Sequence, residues 1–140
     1  MTREIVVVGI PLSLQAKNSK HKEAWKQTVA AAARDAVRED EKYLEGTPVG
    51  LVVIQFSFGW EEGDLDNIAK PILDGLSGPV FSDDRQVEQL TLRRTELGKD
   101  IVDIVDPTPR LADALQGAYA EKQDFIYIRV DDGPNHRNLP

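Results

Sequence analysis

The residues between positions 64 and 84 that could do chemistry are Asp64, Asp66, Lys70, Asp74, Asp83 and Asp84. Asp64 and Asp66 stand two apart at the head of LDNIAKPILDGL, a segment that reads as a short helix over 65–76. A helix start offers free backbone amides and the positive end of the dipole, so it tolerates clustered carboxylates and attracts phosphate. Asp66, Lys70 and Asp74 follow at i, i+4 and i+8, on one helical face. After a Gly/Pro turn, Asp83 and Asp84 precede an alternating segment. A strand returning beside the helix can bring one of them back to the first pair. Carboxylates without histidine form a hard-oxygen set that suits Mg²⁺ or Mn²⁺ and not zinc. Such an ion holds a scissile phosphate and lowers the pKa of a bound water. Lys70 adds a cation where charge builds on the phosphate.

Each residue also has a plainer role open to it. Asp64 can cap a helix, Asp66 and Asp74 can pair with Lys70, and Asp83 and Asp84 can be turn residues. A calcium loop is excluded, because Ile68 stands where a ligand belongs and Ala69 where glycine is needed.

Composition narrows the rest. The 140 residues are 41% hydrophobic and 29% charged, which is ordinary for one globular domain and argues against disorder. With no cysteine, a disulfide scaffold, a thiolate zinc site and a cysteine nucleophile are all excluded. His21 and His136 alone cannot make a histidine-rich metal site. No apolar run approaches the roughly 18 residues that span a bilayer, and no signal-peptide pattern is visible. The expectation is a cytoplasmic protein without a membrane segment.

The elements that must position the acids can be read from periodicity. EIVVVGI, 4–10, predicts a strand, and 20–43 predicts one long amphipathic helix capped by Ser19. A second strand is expected over 49–58, then the short helix, with Pro71 either in its first turn or kinking it, and Gly75, Ser77, Gly78 and Pro79 ending it. Alternation predicts a third strand over 85–96 and a fourth over 100–105. A helix capped by Thr108 and a strand over 125–130 complete the chain. The fold class is α/β, a single-domain mixed sheet with helices packed on it: a β-α-β-α-β core plus a C-terminal helix and strand.

The acidic segment as a whole carries a resemblance. Asp64-Leu-Asp66-Asn67-Ile-Ala-Lys70-Pro71-Ile-Leu-Asp74-Gly-Leu76, then Val80-Phe81-Ser-Asp83-Asp84-Arg-Gln86-Val87, resembles the motif of the RusA family of Holliday-junction resolvases. The likeness covers roughly 4–105. It implies a nuclease core over 1–106 and a C-terminal extension over 107–140 packed on the same domain. It implies a Mg²⁺-dependent endodeoxyribonuclease that cuts four-way junctions in DNA recombination and repair. By position, Asp64, Asp66 and Asp84 would bind the metal, Lys70 would be needed for cleavage, and Asn67, Asp74 and Asp83 would support them. The resemblance also implies branched DNA as substrate and a homodimer, two symmetric cuts needing two sites.

Charge is the departure from that family. The net charge is -7, whereas nucleic-acid binders carry a basic footprint. Basic residues are nevertheless segregated: Lys17, Lys20, Lys22, Lys26 and Arg34 face Glu23 alone over 11–34. Lys17, Lys20, Lys22 and Lys26 are therefore the candidate DNA track, with Arg93 and Arg94 as possible additions on opposite faces of a strand. His21 lies among the lysines, and His136 lies in the tail. Trp25 reads as core or dimer contact, and Trp60 as an aromatic beside the acidic loop. Two other readings compete: a silent homologue whose acidic surface binds a basic protein, and a metal phosphodiesterase for another branched nucleic acid.

Overall fold

The computed structural model describes residues 2–9, 19–59, 68–98 and 106–133, with the side chains of 19–21 outside that set. The expected fourth strand over 100–105, Trp60 and His136 lie outside the described residues. Among the described residues the order is β1 (Thr2–Val8), α1 (Ser19–Ala36), β2 (Val49–Ser57), α2 (Ala69–Leu76), β3 (Val87–Glu96), α3 (Pro109–Glu121) and β4 (Phe125–Asp132). The sheet order is β1-β4-β2-β3. β4 runs antiparallel to both neighbours, and β2 pairs with β3 in parallel. The α/β class expected from the alternation is the one observed.

β4 is one of the two inner strands of the sheet, although it comes last in the chain. It carries Ile126, Ile128 and Val130 to one face and Phe125 and Tyr127 to the other, all buried. A strand covered on both sides needs apolar side chains at successive positions, and FIYI supplies them. On the first face, Ile126 and Ile128 join Leu51, Val53 and Ile5 beneath α1 and α2. On the second, Phe125 and Tyr127 join Phe56 and Leu111 beneath α3. Phe56 stacks on Phe125 with ring centroids 4.7 Å apart, worth about 0.5–1.5 kcal/mol beyond burial.

α1 buries Trp25, Val29 and Ala33, a stripe of steps of four. It ends at Ala36 and not near residue 43. Tyr43 explains why: its amide donates to the Val80 carbonyl at 2.8 Å and its hydroxyl to the Val130 carbonyl at 2.9 Å. The chain must leave the helix to reach those partners, and a short 3₁₀ turn over Glu39–Glu41 makes the bend. Trp25 is core, 8% exposed, so it is not open to anchor a second copy.

α3 is tied to β1 through one carboxylate. Thr108 caps the helix by accepting from the Leu111 amide at 3.2 Å, and its hydroxyl donates to Glu4 Oε2. The Tyr127 hydroxyl donates to the same oxygen. None of the described helices is long and apolar enough to cross a membrane.

Burial pushes the Tyr43 phenol up to about 12, and burial together with the bond to Glu4 does the same for Tyr127. The neutral phenols therefore contribute stability in full below about pH 10, the unfolded value, and it is lost as pH rises through about 12. Phenolate absorbance at 295 nm should show at most one of the three tyrosines ionised in the native chain at pH 11. Ionisation of two or more at that pH would show that Tyr43 and Tyr127 are not held as described.

Candidate functional site

α2 is placed by its contact with α1. Pro71, Ile72, Gly75 and Leu76 are buried. Gly75 lies inside the helix and does not end it. A Cβ there would stand 2.8 Å from the Lys26 carbonyl oxygen and 2.9 Å from the Val29 Cβ, so only glycine lets the two backbones approach this closely. With that face against α1, Lys70 and Asp74 are turned outward at i and i+4. Pro71 sits in the first turn, where its missing amide hydrogen costs no helical bond.

The chain after α2 is turned back by capping bonds. The Ser77 amide and hydroxyl donate to the Leu73 carbonyl at 3.1 and 2.9 Å. Gly78, with φ +103°, takes a left-handed conformation that glycine adopts freely. Phe81 is fully buried, and it anchors the turn that presents Asp83 and Asp84.

Lys70, Asp74 and Asp84 come together. Lys70 Nζ is 2.9 Å from Asp74 Oδ1 and 3.6 Å from Asp84 Oδ2. The ammonium pKa is raised, first by the bond to Asp74 and then by Asp84. Lys70 stays 71% exposed, with Asp74 at 37% and Asp84 at 36%. The cation is thus aimed by two carboxylates while its surface remains open to an anionic substrate.

Asp83 is held by Arg85. Its carboxylate accepts from the Arg85 amide at 2.9 Å and from Arg85 Nη2 at 3.3 Å. Those bonds, the amide first, hold its pKa below the usual carboxylate range. It caps the 3₁₀ turn Asp84–Gln86 and so sets the direction of Asp84.

Sequence spacing gives Gln86 no role, yet the structure makes it a clamp. Its Oε1 accepts from the amides of Ser82 and Asp83 at 2.8 and 3.2 Å. Its Nε2 donates to the carbonyls of Leu44 and Thr47 at 2.8 and 3.0 Å. One buried amide therefore clamps the Asp83–Asp84 turn to the turn before β2. The available signal was a polar residue directly before an alternating strand, inside the quoted motif.

Asp64, Asp66 and Asn67 lie outside the described residues, as do Lys17 and the side chains of Lys20 and His21. Lys22 is exposed on α1, and Lys26 lies 3.8 Å from Glu23. The Lys26 carbonyl against Gly75 puts this part of α1 beside α2. In β3, Arg94 is in register with Gln55 and shares the face of Leu92, which packs under α1 and α2. Arg93 is in register with Ile54 and points to the α3 side. Of the two arginines, Arg94 is the one on the face of the acidic cluster.

Among the described residues, no three His, Cys, Asp or Glu side chains lie close enough to hold a metal ion. The donor chemistry of Asp84 nonetheless suits a hard cation: a part-exposed carboxylate in a cluster without nitrogen or sulfur ligands.

Replacing Gln86 with Leu removes all four clamp bonds in a buried place, at about 1–3 kcal/mol for each polar group left unsatisfied. Gln86→Leu should unfold at lower denaturant concentration in a urea titration. An unchanged midpoint would show that the clamp is not needed.

A family model described as endodeoxyribonuclease RusA matches residues 12–111, which include α1, β2, α2 and β3. No curated protein matches the chain. The matched region covers more than half of the 140 residues and contains Lys70, Asp74, Asp83, Asp84 and the Gln86 clamp. The chain belongs to the RusA endodeoxyribonuclease family.

Proposed function

We propose that this chain is a Mg²⁺-dependent, structure-selective endodeoxyribonuclease that cuts four-way DNA junctions as a homodimer. The observation that carries this reading is Lys70, held open to solvent between Asp74 and Asp84. A lone helix lysine forms one exposed ion pair of small value. A cation aimed by two carboxylates at a turn that a buried glutamine fixes is better suited to a substrate phosphate.

Asp64, Asp66 and Asp84 would hold Mg²⁺, with Mn²⁺ as the alternative ion. Bound there, the ion would supply Lewis acidity toward the phosphate and a water of lowered pKa. Lys70 binds a non-bridging phosphate oxygen and offsets the charge that develops on it. Asp74 orients Lys70, Asp83 orients Asp84, and Asn67 steadies the start of the motif helix. Lys17, Lys20, Lys22 and Lys26 would carry the flanking DNA arms, with Arg94 on the same side of the sheet.

The test is cleavage of a synthetic four-way junction against linear duplex of the same sequence, with and without Mg²⁺. Cutting that needs both the branch and the ion is the expected result; no cutting of either substrate would overturn the proposal. In the same assay Lys70→Ala should lower the single-turnover rate about 10²–10³-fold, with the Mg²⁺ concentration for half-maximal rate little changed. A rate within twofold of wild type would leave Lys70 as a surface ion-pair residue.

Binding should weaken with salt along a shallow slope, because an acidic chain offers few cations to phosphate. Three or four phosphate contacts predict a slope of log affinity against log salt of about -3. Replacing Lys20 and Lys22 with Gln should flatten that slope by about two units, measured by fluorescence anisotropy on a labelled junction. An unchanged slope would place the DNA path away from α1.

A further inference from the structure

The outer edge of β1 is a surface that the nuclease reading does not use. β1 stands at the end of the sheet and pairs only with β4 among the described residues. On the β4 side, the Gly9 amide donates to the Asp124 carbonyl at 2.7 Å. From the other side, Arg110 Nη1 donates to the Glu4 carbonyl at 3.0 Å. Strand alternation therefore turns the backbones of Glu4, Val6 and Val8 outward. Arg110 occupies the Glu4 carbonyl, and among the described residues the N–H and C=O groups of Val6 and Val8 are left facing the cleft.

α1 and α3 stand on either side of this edge. Ala32 and Ala36 of α1 and Ala114 of α3 are small, and between them lies a cleft of ≈ 550 Å³ over Val6. A smaller cleft of ≈ 160 Å³, lined by the same Val6 and Ala114, continues it past Val8. Val8 is 55% exposed. The rim is acidic: Asp35, Asp113 and Glu121 stand against Arg110, whose guanidinium is already on the Glu4 carbonyl.

We propose that this edge is a docking groove for an extended, basic segment of a partner protein, which adds to β1 as a further strand. Main-chain bonds to Val6 and Val8 would hold it, and alternate side chains would meet the two helix walls. From Glu4 to Val8 the edge spans about five residues of extended chain at 3.3 Å each. Charge selects the occupant. A second copy pairing β1 with β1 would bring two acidic rims together, and DNA phosphate would meet the same repulsion. Lys and Arg on alternate positions complement both rims.

A fluorescein-labelled peptide, acetyl-Lys-Val-Arg-Val-Lys-Val-Arg-amide, titrated with the full chain at about 50 mM salt, tests this by anisotropy. Saturable binding that weakens with salt is expected. The double variant Asp35→Lys, Asp113→Lys should weaken it at least about tenfold. Val8→Pro should weaken it similarly, and the fold should persist because edge strands tolerate proline where the amide faces outward. A peptide N-methylated at alternate residues tests the same bonds on unaltered protein and should not bind. Absent binding, equal binding of the N-methylated peptide, or binding indifferent to the double variant would overturn the proposal. Self-association in sedimentation that Val8→Pro abolishes would overturn it too, in favour of a second copy.

Discussion

Backbone approach at one glycine is the constraint on which the rest of the site depends. α2 can lie against α1 only because nothing projects from Gly75 toward the Lys26 carbonyl and Val29. That contact buries Ile72 and Leu76 and leaves the helix one outward face, the face of Lys70 and Asp74. The turn after α2 then returns Asp84 to within 3.6 Å of Lys70. A methyl group at Gly75 would force the helices apart at a cost of about 1–3 kcal/mol. It would also move Lys70 and Asp74 relative to Asp84, which is held separately by Gln86.

The second constraint is the position of β4. Placing the last strand between β1 and β2 makes the final third of the chain part of the fold that seats the site. Its two buried faces form the floor of both cores. The Glu4 carboxylate, taking hydroxyls from Thr108 and Tyr127, fastens the same third to the first strand. The scaffold beneath Lys70 is thus closed by a strand more than fifty positions further along the chain.

Local signals were legible in the sequence and tertiary ones were not. Alternation located β2 and β3, and steps of four located the buried stripe of α1. Thr108 showed as a cap, and the shared face of Lys70 and Asp74 followed from helical spacing. Strand order was hidden, because FIYIRV reads as a strand without saying which strands it will separate. The end of α1 was hidden as well: no glycine or proline marks it, and the cause is Tyr43 reaching Val80 and Val130. Gly75 read as a helix stop because its reason is the neighbouring helix. Asp83 and Asp84 looked equivalent as a pair, and only the capping geometry separates the orienting residue from the one facing Lys70.

An acidic chain acting on a polyanion needs its few useful cations placed with care, and the fold concentrates that demand on Lys70. The central claim is that the seat of α2 on α1 sets the cleavage geometry. Its most direct measurement is the single-turnover rate of four-way junction cleavage by Gly75→Ala, with folding confirmed by far-UV circular dichroism. The account predicts a folded protein whose rate falls by about a hundredfold, the scale expected when a reacting group is displaced by about 1 Å. A folded Gly75→Ala chain that cuts the junction at the wild-type rate would contradict it.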